Sequence, residues 1–325
     1  MIVPPPTPKR PLNTPPTVPI ARSFRNRSRA TGGDTSGDEA GDSQRRVSDA
    51  PGATSRIGEL LAPLRAEPEA SALLCDIDGT LAPIVPEPED TAVPEETREV
   101  LRQLAGRYAL VACVTGRRAL EARWIVGVEE LVYSGNHGLE WLRPGATGPE
   151  LDPAIADDAR RARDFVLDLD AEDVSVAGLR LESKGPIQAL HWRGAEDEAR
   201  AKHQARRIAG TARSAGLAPH WGRKVLEIRP VADIDKGTAV ERLLSERAVQ
   251  LAMFGGDDRG DLDAFAAMRR LADSGCLRAA LCVGVASDEA PPELAERADA
   301  VVDGPDGFLA VLRALAEPAD AASGD

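Results

Sequence analysis

Two aspartates, Asp76 and Asp78, close an apolar run in the stretch SALLCDIDGTLAPI (residues 71–84). In extended chain, residues two apart project to the same side, so both carboxylates can reach one ligand. Gly79, which follows them, allows a tight exit from the strand. One carboxylate could attack an electrophile while the other moves a proton. Hydrolysis of a phosphate monoester fits this pair if Mg²⁺ bridges the carboxylates and a phosphate oxygen.

A phosphate substrate also requires a hydroxyl, backbone amides and a cation, and the chain supplies them in this order. LVACVTGR places Thr115 after an apolar run, with Gly116 and Arg117 opening a predicted helix whose N-terminus favours an anion. IDKGTAV places Lys236 at a predicted helix start, where it can offset charge that develops in the transition state. Alone, Thr115 would suit a helix N-cap and Lys236 a solvated helix start, so the interpretation rests on the combination.

Three more carboxylates follow an apolar strand in MFGGDDRGDLDAF, and they are candidate metal ligands: Asp257, Asp258 and Asp261. We expect Asp257 to bind the metal. One of Asp258 and Asp261 is expected to orient the metal or Lys236. Either of these two could instead serve as a negative charge at a helix N-terminus, so their separate roles stay open at this point.

Short apolar runs alternate with helical patterns along most of the chain. The runs predict strands buried on both faces of a parallel sheet, at residues 72–77, 108–115, 130–135, 249–255, 278–285 and 298–303. Helices are predicted between them, at residues 94–106, 117–124, 236–247, 259–273 and 305–316. This alternation predicts an α/β fold with a doubly wound, Rossmann-like parallel sheet, in which ligands bind at the carboxyl ends of the strands.

Residues 140–229 follow a different pattern, in which a helix (152–169), two strands, a second helix (195–214) and two more strands succeed one another. We interpret this segment as an α+β cap domain inserted into the sheet domain. The proline- and arginine-rich start of the chain has too little apolar surface to fold. The predicted order is a disordered tail, the first part of the core, the cap, the second part of the core and a disordered C-terminus, at residues 1–55, 56–139, 140–229, 230–318 and 319–325.

The composition of the 325 residues argues against several classes of function. A net charge of −13 and a pI near 5.0 disfavour binding to nucleic acid or to an anionic membrane. No apolar run reaches the roughly 18 residues that a membrane span requires. Cys75, Cys113 and Cys282 lie inside apolar runs, where cysteine behaves as a small hydrophobic residue. We therefore expect a cytoplasmic protein with reduced cysteines and no zinc site.

The motifs D-x-D-G-T, T-G-R after an apolar run, D-K-G and G-D-D-x-x-D, in this order, resemble the signature of the haloacid dehalogenase (HAD) superfamily of phosphohydrolases. YSGNHGLE (133–140), LESKGPIQALHWR (181–193) and VLEIRPVADIDKG (225–237) resemble the pattern of the trehalose-6-phosphate phosphatase family. The resemblance covers roughly residues 56–318. It implies a HAD core with an inserted α+β cap, and trehalose 6-phosphate as the substrate.

The resemblance also implies a division of labour among the core residues. Asp76 attacks phosphorus and forms an aspartyl-phosphate, while Asp78 protonates the leaving sugar oxygen and later deprotonates the attacking water. Mg²⁺ is held by Asp76, the main-chain carbonyl of Asp78 and Asp257. Thr115 and Lys236 hold the phosphoryl oxygens.

The candidate substrate-binding residues are Gly116, Arg117, Asn136, His137, Glu182, Lys184, Arg193 and Glu227. The resemblance implies that Glu182, Lys184 and Glu227 hydrogen-bond the hydroxyls of the disaccharide. A lone Glu-x-Lys is more often a surface ion pair of little energetic value. His137 could be a sugar contact, a strand-end cap or a neighbour of the phosphate.

These inferences predict a monomeric enzyme of trehalose biosynthesis, with a trehalose-phosphate synthase as a candidate partner. One alternative is a HAD phosphatase for another sugar phosphate, such as sucrose phosphate or mannosyl-3-phosphoglycerate. The other alternative is a non-catalytic sugar-phosphate sensor that keeps the fold. Phosphate release in the presence of Mg²⁺ distinguishes the enzymes from the sensor.

Overall fold

An eight-stranded sheet carries the strand ends at which the candidate residues lie. A computed structural model describes residues 51–170, 174–175, 177–222, 224–231, 234–287 and 290–318, all within one compact unit of the chain, Gln44–Asp325. With strands numbered in chain order, this sheet contains β1 (Ser71–Cys75), β2 (Leu110–Val114), β3 (Val132–Gly135), β4 (Glu140–Leu142), β5 (Glu150–Leu151), β10 (Leu251–Gly256), β11 (Ala279–Ala286) and β12 (Ala300–Asp303). The strand order is β12-β11-β10-β1-β2-β3-β4-β5.

The central strand β1 shows why the sequence of this sheet is so apolar. All neighbouring pairs from β12 to β3 are parallel, and β4 and β5 extend the sheet in the antiparallel direction. Every residue of β1 is buried, and its alternate side chains enter two hydrophobic layers. Leu73 and Cys75 belong to one layer, and Ala72 and Leu74 to the other. A strand that is covered on both faces has no polar side to alternate with.

Helices cover both faces of the eight-stranded sheet. The layer that contains Leu73 is completed by α1 (Pro51–Ala66), α2 (Glu95–Ala105), α3 (Ala119–Val126) and α9 (Gly304–Ala316). The opposite layer is completed by α6 (Lys236–Ser245), α7 (Asp261–Asp273) and α8 (Pro292–Arg297). The predicted doubly wound α/β fold is therefore confirmed.

A second sheet forms a separate layer, which we call the cap. Its four antiparallel strands are β6 (Arg180–Lys184), β7 (Ile187–His191), β8 (Ala218–Gly222) and β9 (Val225–Arg229), in the order β6-β7-β9-β8. The helices α4 (Ala156–Leu167) and α5 (Glu198–Ser214) join it through an apolar cluster of its own. The elements follow one another as α-β-β-α-β-β, so the predicted inserted α+β architecture is also confirmed.

Several predicted boundaries lie elsewhere in the structure. Residues 140–151, assigned from the sequence to the cap, contain β4 and β5. These strands belong to the large sheet, because β4 pairs with β3 and β5 pairs with β4. α3 begins at Ala119, two residues after the predicted start, and α8 was not predicted because its six residues are too few to show a period.

The first helix overlaps the predicted disordered tail. α1 begins at Pro51, so the end of the predicted tail, residues 51–55, is helical. Its opening residues PGATSR carry no apolar periodicity, which is why the sequence did not indicate it. The predictions for residues 1–50 and 319–325 fall outside the described residues.

The described residues bear on the expectations about membrane spans and about cysteines. Within the part of the chain that the structure describes, no helix combines the length and the apolar character that crossing a membrane demands. Cys75, Cys113 and Cys282 are buried and form no disulfide, as predicted, whereas Cys276 is exposed and also free.

The packing of α1 generates a prediction about truncation. Leu61 and Leu64 of α1 are 0% and 3% exposed, and the helix packs against α9 and β10. Removing residues 1–50 should leave the midpoint of thermal unfolding unchanged, because the core of the described fold contains none of them. Within that shortened chain, Leu61→Ala should lower the free energy of unfolding by about 2–5 kcal/mol, measured by urea denaturation.

A matched substitution controls for the leucine-to-alanine change itself. Leu167, at the end of α4, is 70% exposed, so Leu167→Ala should change the stability by less than about 0.5 kcal/mol. Equal effects of the two substitutions would show that α1 is not part of the core.

Candidate active site

The parallel arrangement of three strands brings the motifs together. β1 lies between β2 and β10, and Asp76, Thr115 and Asp257 are the residues that directly follow these strands. The Asp76 N–H donates a hydrogen bond to the Gly255 carbonyl (2.9 Å), which continues the β1–β10 ladder as far as the site. The carboxyl ends of parallel strands share one edge, so the residues after them are neighbours in space.

A buried ammonium group lies at the centre of the site. Lys236 Nζ lies 2.7 Å from Asp76 Oδ2, 2.8 Å from Asp261 Oδ1 and 3.3 Å from Asp258 Oδ1, and Lys236 is 1% exposed. Burial alone would lower the pKa of Lys236, but the carboxylates of Asp261 and Asp76 raise it well above the ordinary value. Lys236 is therefore a permanent cation in this site.

The start of α6 determines where Lys236 lies. Asp235 is the N-cap of this helix, and its side chain accepts a hydrogen bond from the Thr238 N–H (2.8 Å). In return, the Thr238 hydroxyl accepts a hydrogen bond from the Asp235 N–H (2.9 Å), which completes a capping box. The capping box fixes the first turn of α6, and Lys236 is the first residue of that turn.

Asp261 organises the turn that follows β10. Its Oδ2 atom accepts hydrogen bonds from the N–H groups of Asp257 and Asp258, both at 2.9 Å, and its Oδ1 atom accepts one from Lys236. Both oxygens of this fully buried carboxylate are thus engaged within the protein. This contact set favours an orienting role for Asp261, which is one of the alternatives that the sequence left open.

The same corner of the site can accommodate a divalent cation. Asp76, Asp257 and Asp261 are buried, and each offers a carboxylate oxygen within 4.8 Å of the others. Burial, followed by the charges of Asp76 and Asp258, raises the pKa of Asp257 to about 7. Oxygen donors of this kind suit Mg²⁺, and a cation would relieve the repulsion that raises this pKa.

Gly79 makes room for this carboxylate. Its φ is +77°, and a Cβ atom at this position would lie 2.0 Å from Asp257 Oδ2. Thr80, the next residue, donates a hydrogen bond from its hydroxyl to Asp257 Oδ1 (3.2 Å). The G-T pair of the D-x-D-G-T motif therefore shapes and anchors Asp257, a role of Thr80 that the sequence analysis missed although the motif contained it.

Asp78 is held by an arginine. Arg117 Nε and Nη2 donate hydrogen bonds to the two oxygens of Asp78, at 2.6 and 2.7 Å, in a bidentate pair. Arg117 also donates hydrogen bonds to the Thr91 hydroxyl (2.7 Å) and to Glu121 Oε1 (2.5 Å). The guanidinium that was expected to contact substrate thus faces Asp78 in this structure, and Thr91 is a second residue that the sequence analysis missed.

Residues around Thr115 form the junction between core and cap. Thr115 is buried, and its carbonyl accepts a hydrogen bond from the His137 N–H (2.9 Å). A Cβ atom on Gly116 would lie 2.7 Å from His137 Cε1, so the imidazole lies directly against this glycine. Burial, with a contribution from Lys236, lowers the pKa of His137 to about 4. Asn136 Nδ2 donates a hydrogen bond to the Lys184 carbonyl of β6 (2.9 Å), which links the large sheet to the cap.

The cap strands present a network of charged side chains. Lys184 Nζ donates a hydrogen bond to Glu227 Oε1 (3.2 Å), and Arg229 Nη2 donates one to Glu227 Oε2 (2.6 Å). Burial opposes the ionisation of Glu227, but Arg229 and Lys184 lower its pKa below the ordinary value. On the neighbouring strands, Glu182 Oε2 lies 2.7 Å from His191 Nε2.

A cleft of about 820 Å³ connects the two sets of residues. The core contributes Asp78, Gly116 and Arg117 to its wall, and the cap contributes Glu182, Lys184 and Arg193. His191 also lines this cleft and is a third residue that the sequence did not single out, although it lies within the quoted ALHWR stretch. These core and cap candidates therefore face one polar space, whereas Asn136, His137 and Glu227 do not line it. The candidates Asp76, Lys236, Asp257 and Asp261 are buried at the strand ends.

Comparisons with a family model and with curated proteins identify the same family. The family model described as trehalose-phosphatase matches residues 74–296. Trehalose 6-phosphate phosphatase RA3 of Zea mays is 32% identical over 239 residues, which cover 68% of this chain and 65% of that protein. The chain thus spans less than two thirds of the length of this relative.

Solved structures share the fold at low sequence identity. The C-terminal domain of the trehalose-6-phosphate phosphatase of C. albicans has a TM-score of 0.58 and 20% identity, covering 80% of this chain and 96% of that one. The C-terminal domain of the trehalose synthase regulatory protein of Candida albicans has a TM-score of 0.51 and 11% identity, covering 80% of this chain and 98% of that one. These similarities support the fold.

The raised pKa of Asp257 generates a prediction about metal binding. A carboxyl group whose pKa rises from 3.8 to about 7 on folding keeps its proton in the native state, so its contribution to stability is lost as the pH rises through about 7. Mg²⁺ must displace that proton to bind. The increase in unfolding temperature caused by Mg²⁺ should therefore be larger at about pH 8 than at about pH 5.5.

Asp257→Asn provides the control for this measurement. The amide cannot titrate, so most of the dependence on pH should disappear together with most of the Mg²⁺ effect. An equal Mg²⁺ effect at both pH values, or an unchanged one in Asp257→Asn, would exclude Asp257 as the titrating ligand.

Proposed function

We propose that this chain, which belongs to the trehalose-phosphatase family, hydrolyses trehalose 6-phosphate to trehalose and inorganic phosphate and requires Mg²⁺. The observation that supports this most directly is the buried cluster of Asp76, Lys236 and Asp257 at the strand ends, next to the polar cleft under the cap. The cluster supplies a nucleophile, a cation and metal-binding oxygens. The cleft supplies room for a sugar.

Asp76 is the nucleophile in this mechanism. Its carboxylate attacks phosphorus, an O–P bond forms, and the bond between phosphorus and the sugar oxygen breaks. Burial raises the pKa of Asp76, but Lys236 opposes this shift and favours the ionised form that must attack. The Ile77 N–H donates a hydrogen bond to Asp76 Oδ1 (2.7 Å), and Lys236 donates one to Oδ2, so both oxygens are oriented before substrate arrives.

Asp78 moves the protons. It gives a proton to the departing sugar oxygen and later takes one from the water that attacks the aspartyl-phosphate, which releases phosphate and regenerates Asp76. The bidentate pair with Arg117 holds Asp78 at the cleft wall. Asp78 must therefore leave Arg117, or share it, when it acts as the acid.

Mg²⁺ fits the donor set of the core. The side chains of Asp76 and Asp257 and the main-chain carbonyl of Asp78 would hold it, with Asp261 orienting the turn that carries Asp257. When bound, the ion neutralises carboxylate charge and polarises the phosphoryl oxygen. The Thr115 hydroxyl and Lys236 bind the remaining phosphoryl oxygens.

The cap selects the sugar. Glu182, Lys184 and Glu227 are on its strands, and Arg193 lies two residues after the end of β7. Glu182, Lys184 and Arg193 line the cleft together with Gly116. Charged groups that already hydrogen-bond one another are well placed to exchange those bonds for sugar hydroxyls. On the core side, Asn136 contacts the Lys184 carbonyl, and we propose that Asn136 and His137 contact the sugar from there.

The buried cysteines bear on the cellular location of the enzyme. Three buried cysteines without a disulfide agree with a reducing compartment, so we place the enzyme in the cytoplasm. We retain the monomer and the association with a trehalose-phosphate synthase as proposals. A phosphatase for another sugar phosphate would keep the core chemistry and change the cap contacts.

Substrate and mechanism can be tested together by phosphate release. We expect a strong preference for trehalose 6-phosphate over sucrose 6-phosphate, glucose 6-phosphate and mannosyl-3-phosphoglycerate, and loss of activity in EDTA. Asp76→Asn should abolish turnover and leave the unfolding temperature near the wild-type value, because the amide is isosteric. Metal-dependent activity on another substrate of the panel would refute the sugar assignment alone, and inactivity on all of them would favour the sensor.

The cap assignment has a separate test. Glu227→Ala and Glu182→Ala should reduce kcat/KM for trehalose 6-phosphate by about tenfold or more, while turnover of p-nitrophenyl phosphate changes little, because an aryl phosphate offers no sugar hydroxyls. Glu198→Ala is the matched control, since Glu198 is in the cap but pairs with Lys224 away from the cleft (2.7 Å). Equal losses on both substrates would remove the cap glutamates from sugar recognition.

A further inference from the structure

The cap has a second concave site that the proposed mechanism does not use. It measures about 730 Å³ and lies between α5 and the ends of the cap strands. We call it the rear pocket, and its charged and aromatic lining residues are Trp192, Glu198, Lys202, Arg206, Arg213, Trp221 and Lys224. It shares no lining residue with the cleft described above. A ligand in one would therefore leave the other accessible.

Three cations of the rear pocket have no counter-ion among the described residues. Lys202, Arg206 and Arg213 are exposed, and none of them has an ion-pair partner among the residues that the structure describes. Their spacing of four and seven residues places them along one face of α5, where like charges repel one another. The pocket therefore concentrates positive charge on a protein whose net charge is −13.

The fourth cation of the rear pocket, Lys224, adds little net positive charge. Lys224 Nζ lies 2.7 Å from Glu198 Oε1, so this pair is close to neutral. Positive potential in the pocket thus comes from the three unpaired side chains on α5. Arginine guanidinium groups and a lysine ammonium are the groups with which proteins bind phosphate.

A tryptophan forms one wall of the pocket. Trp221 is 43% exposed, and its ring meets the Trp192 ring edge to face, with centroids 5.9 Å apart and an interplanar angle of 68°. Trp192 is 5% exposed and belongs to the apolar cluster of the cap, so it anchors the exposed ring. A fixed, solvent-facing indole beside cations provides a stacking surface for a sugar ring or a nucleobase.

We propose that the rear pocket binds a phosphorylated small molecule that carries a sugar ring or a nucleobase. The phosphate contacts Lys202, Arg206 and Arg213, and the ring stacks on Trp221. The volume lies within the range of about 300–1,000 Å³ that is usual for small-molecule sites. A nucleic acid is disfavoured as the occupant because the rest of the surface is acidic.

The rear pocket and the cleft are lined by consecutive residues at one strand end. Trp192 lines the rear pocket, whereas the residues on either side of it, His191 and Arg193, line the cleft. The inference stands on charge, shape and the aromatic wall, and it does not depend on the proposed phosphatase activity.

Calorimetric titration of the full chain carrying Asp76→Asn, in EDTA, tests the proposal. The probes are ATP, glucose 6-phosphate and inorganic phosphate, with a hexaglutamate peptide as the macromolecular comparison. Lys202→Ala/Arg206→Ala should weaken binding of at least one ring-bearing probe by about tenfold or more. The control Arg200→Ala/Arg207→Ala removes the same charge from α5 outside the pocket and should change that affinity by less than about twofold.

Trp221→Ala tests the ring contact. It should weaken the ring-bearing probe severalfold and leave inorganic phosphate unaffected, and the stronger of ATP and glucose 6-phosphate identifies base or sugar as the stacked group. Equal affinities in the two double variants would overturn the proposal. So would inorganic phosphate binding as tightly as the ring-bearing probes, or hexaglutamate binding at the pocket while no small phosphate does.

Discussion

The ammonium group of Lys236, buried among aspartates, is the interaction on which the site depends. Four carboxylates, those of Asp76, Asp257, Asp258 and Asp261, lie around the strand ends, and one buried lysine offsets them. A buried carboxylate without a partner would take up a proton or destabilise the fold. Burial, and after it the charges of neighbouring carboxylates, raises the pKa of Asp76, Asp257 and Asp261 even beside Lys236. The site therefore favours a further cation. A metal ion would offset the carboxylates, and the metal together with Lys236 would offset the charge of a phosphate.

The residues of the proposed chemistry and those of the proposed sugar recognition lie in different parts of the fold. The large sheet holds Asp76 and Lys236 through backbone ladders and a capped helix, so these side chains occupy defined positions without substrate. The cap strands hold charged side chains in pairs that can exchange partners. Asn136 crosses the boundary, because its amide binds the Lys184 carbonyl, and Arg117 holds Asp78 at the cleft wall.

Much of the fold could be predicted from the sequence because the central strands are covered on both faces. β1 and β10 are continuous apolar runs, and β4, next to the edge strand β5, has three residues and no such run. That difference explains why β4 was assigned to the cap. α1 escaped prediction because its apolar contacts, such as that of Leu61, begin only after a stretch of small and polar residues.

In the candidate site, the positions of the motifs could be predicted from the sequence, but the contacts of individual side chains could not. The backbone position of each motif follows from strand ends, so Asp76, Thr115 and Asp257 could be placed together in advance. The pair between Asp78 and Arg117 joins residues 39 apart, and no local pattern specifies which group a guanidinium will contact. The two hydrogen bonds from backbone N–H groups to Asp261 likewise depend on the shape of one turn, which no local pattern in the sequence specifies.

The central claim is that Asp76 carries the phosphoryl group, and reductive trapping tests it most directly. The protein is mixed with trehalose 6-phosphate and Mg²⁺, quenched in acid within one turnover, reduced with borohydride and digested for mass spectrometry. An acyl phosphate is reduced to the corresponding alcohol, so homoserine at position 76, dependent on substrate, is the expected result. Homoserine at position 78 or 257, or phosphate release with no trapped residue, would contradict the account.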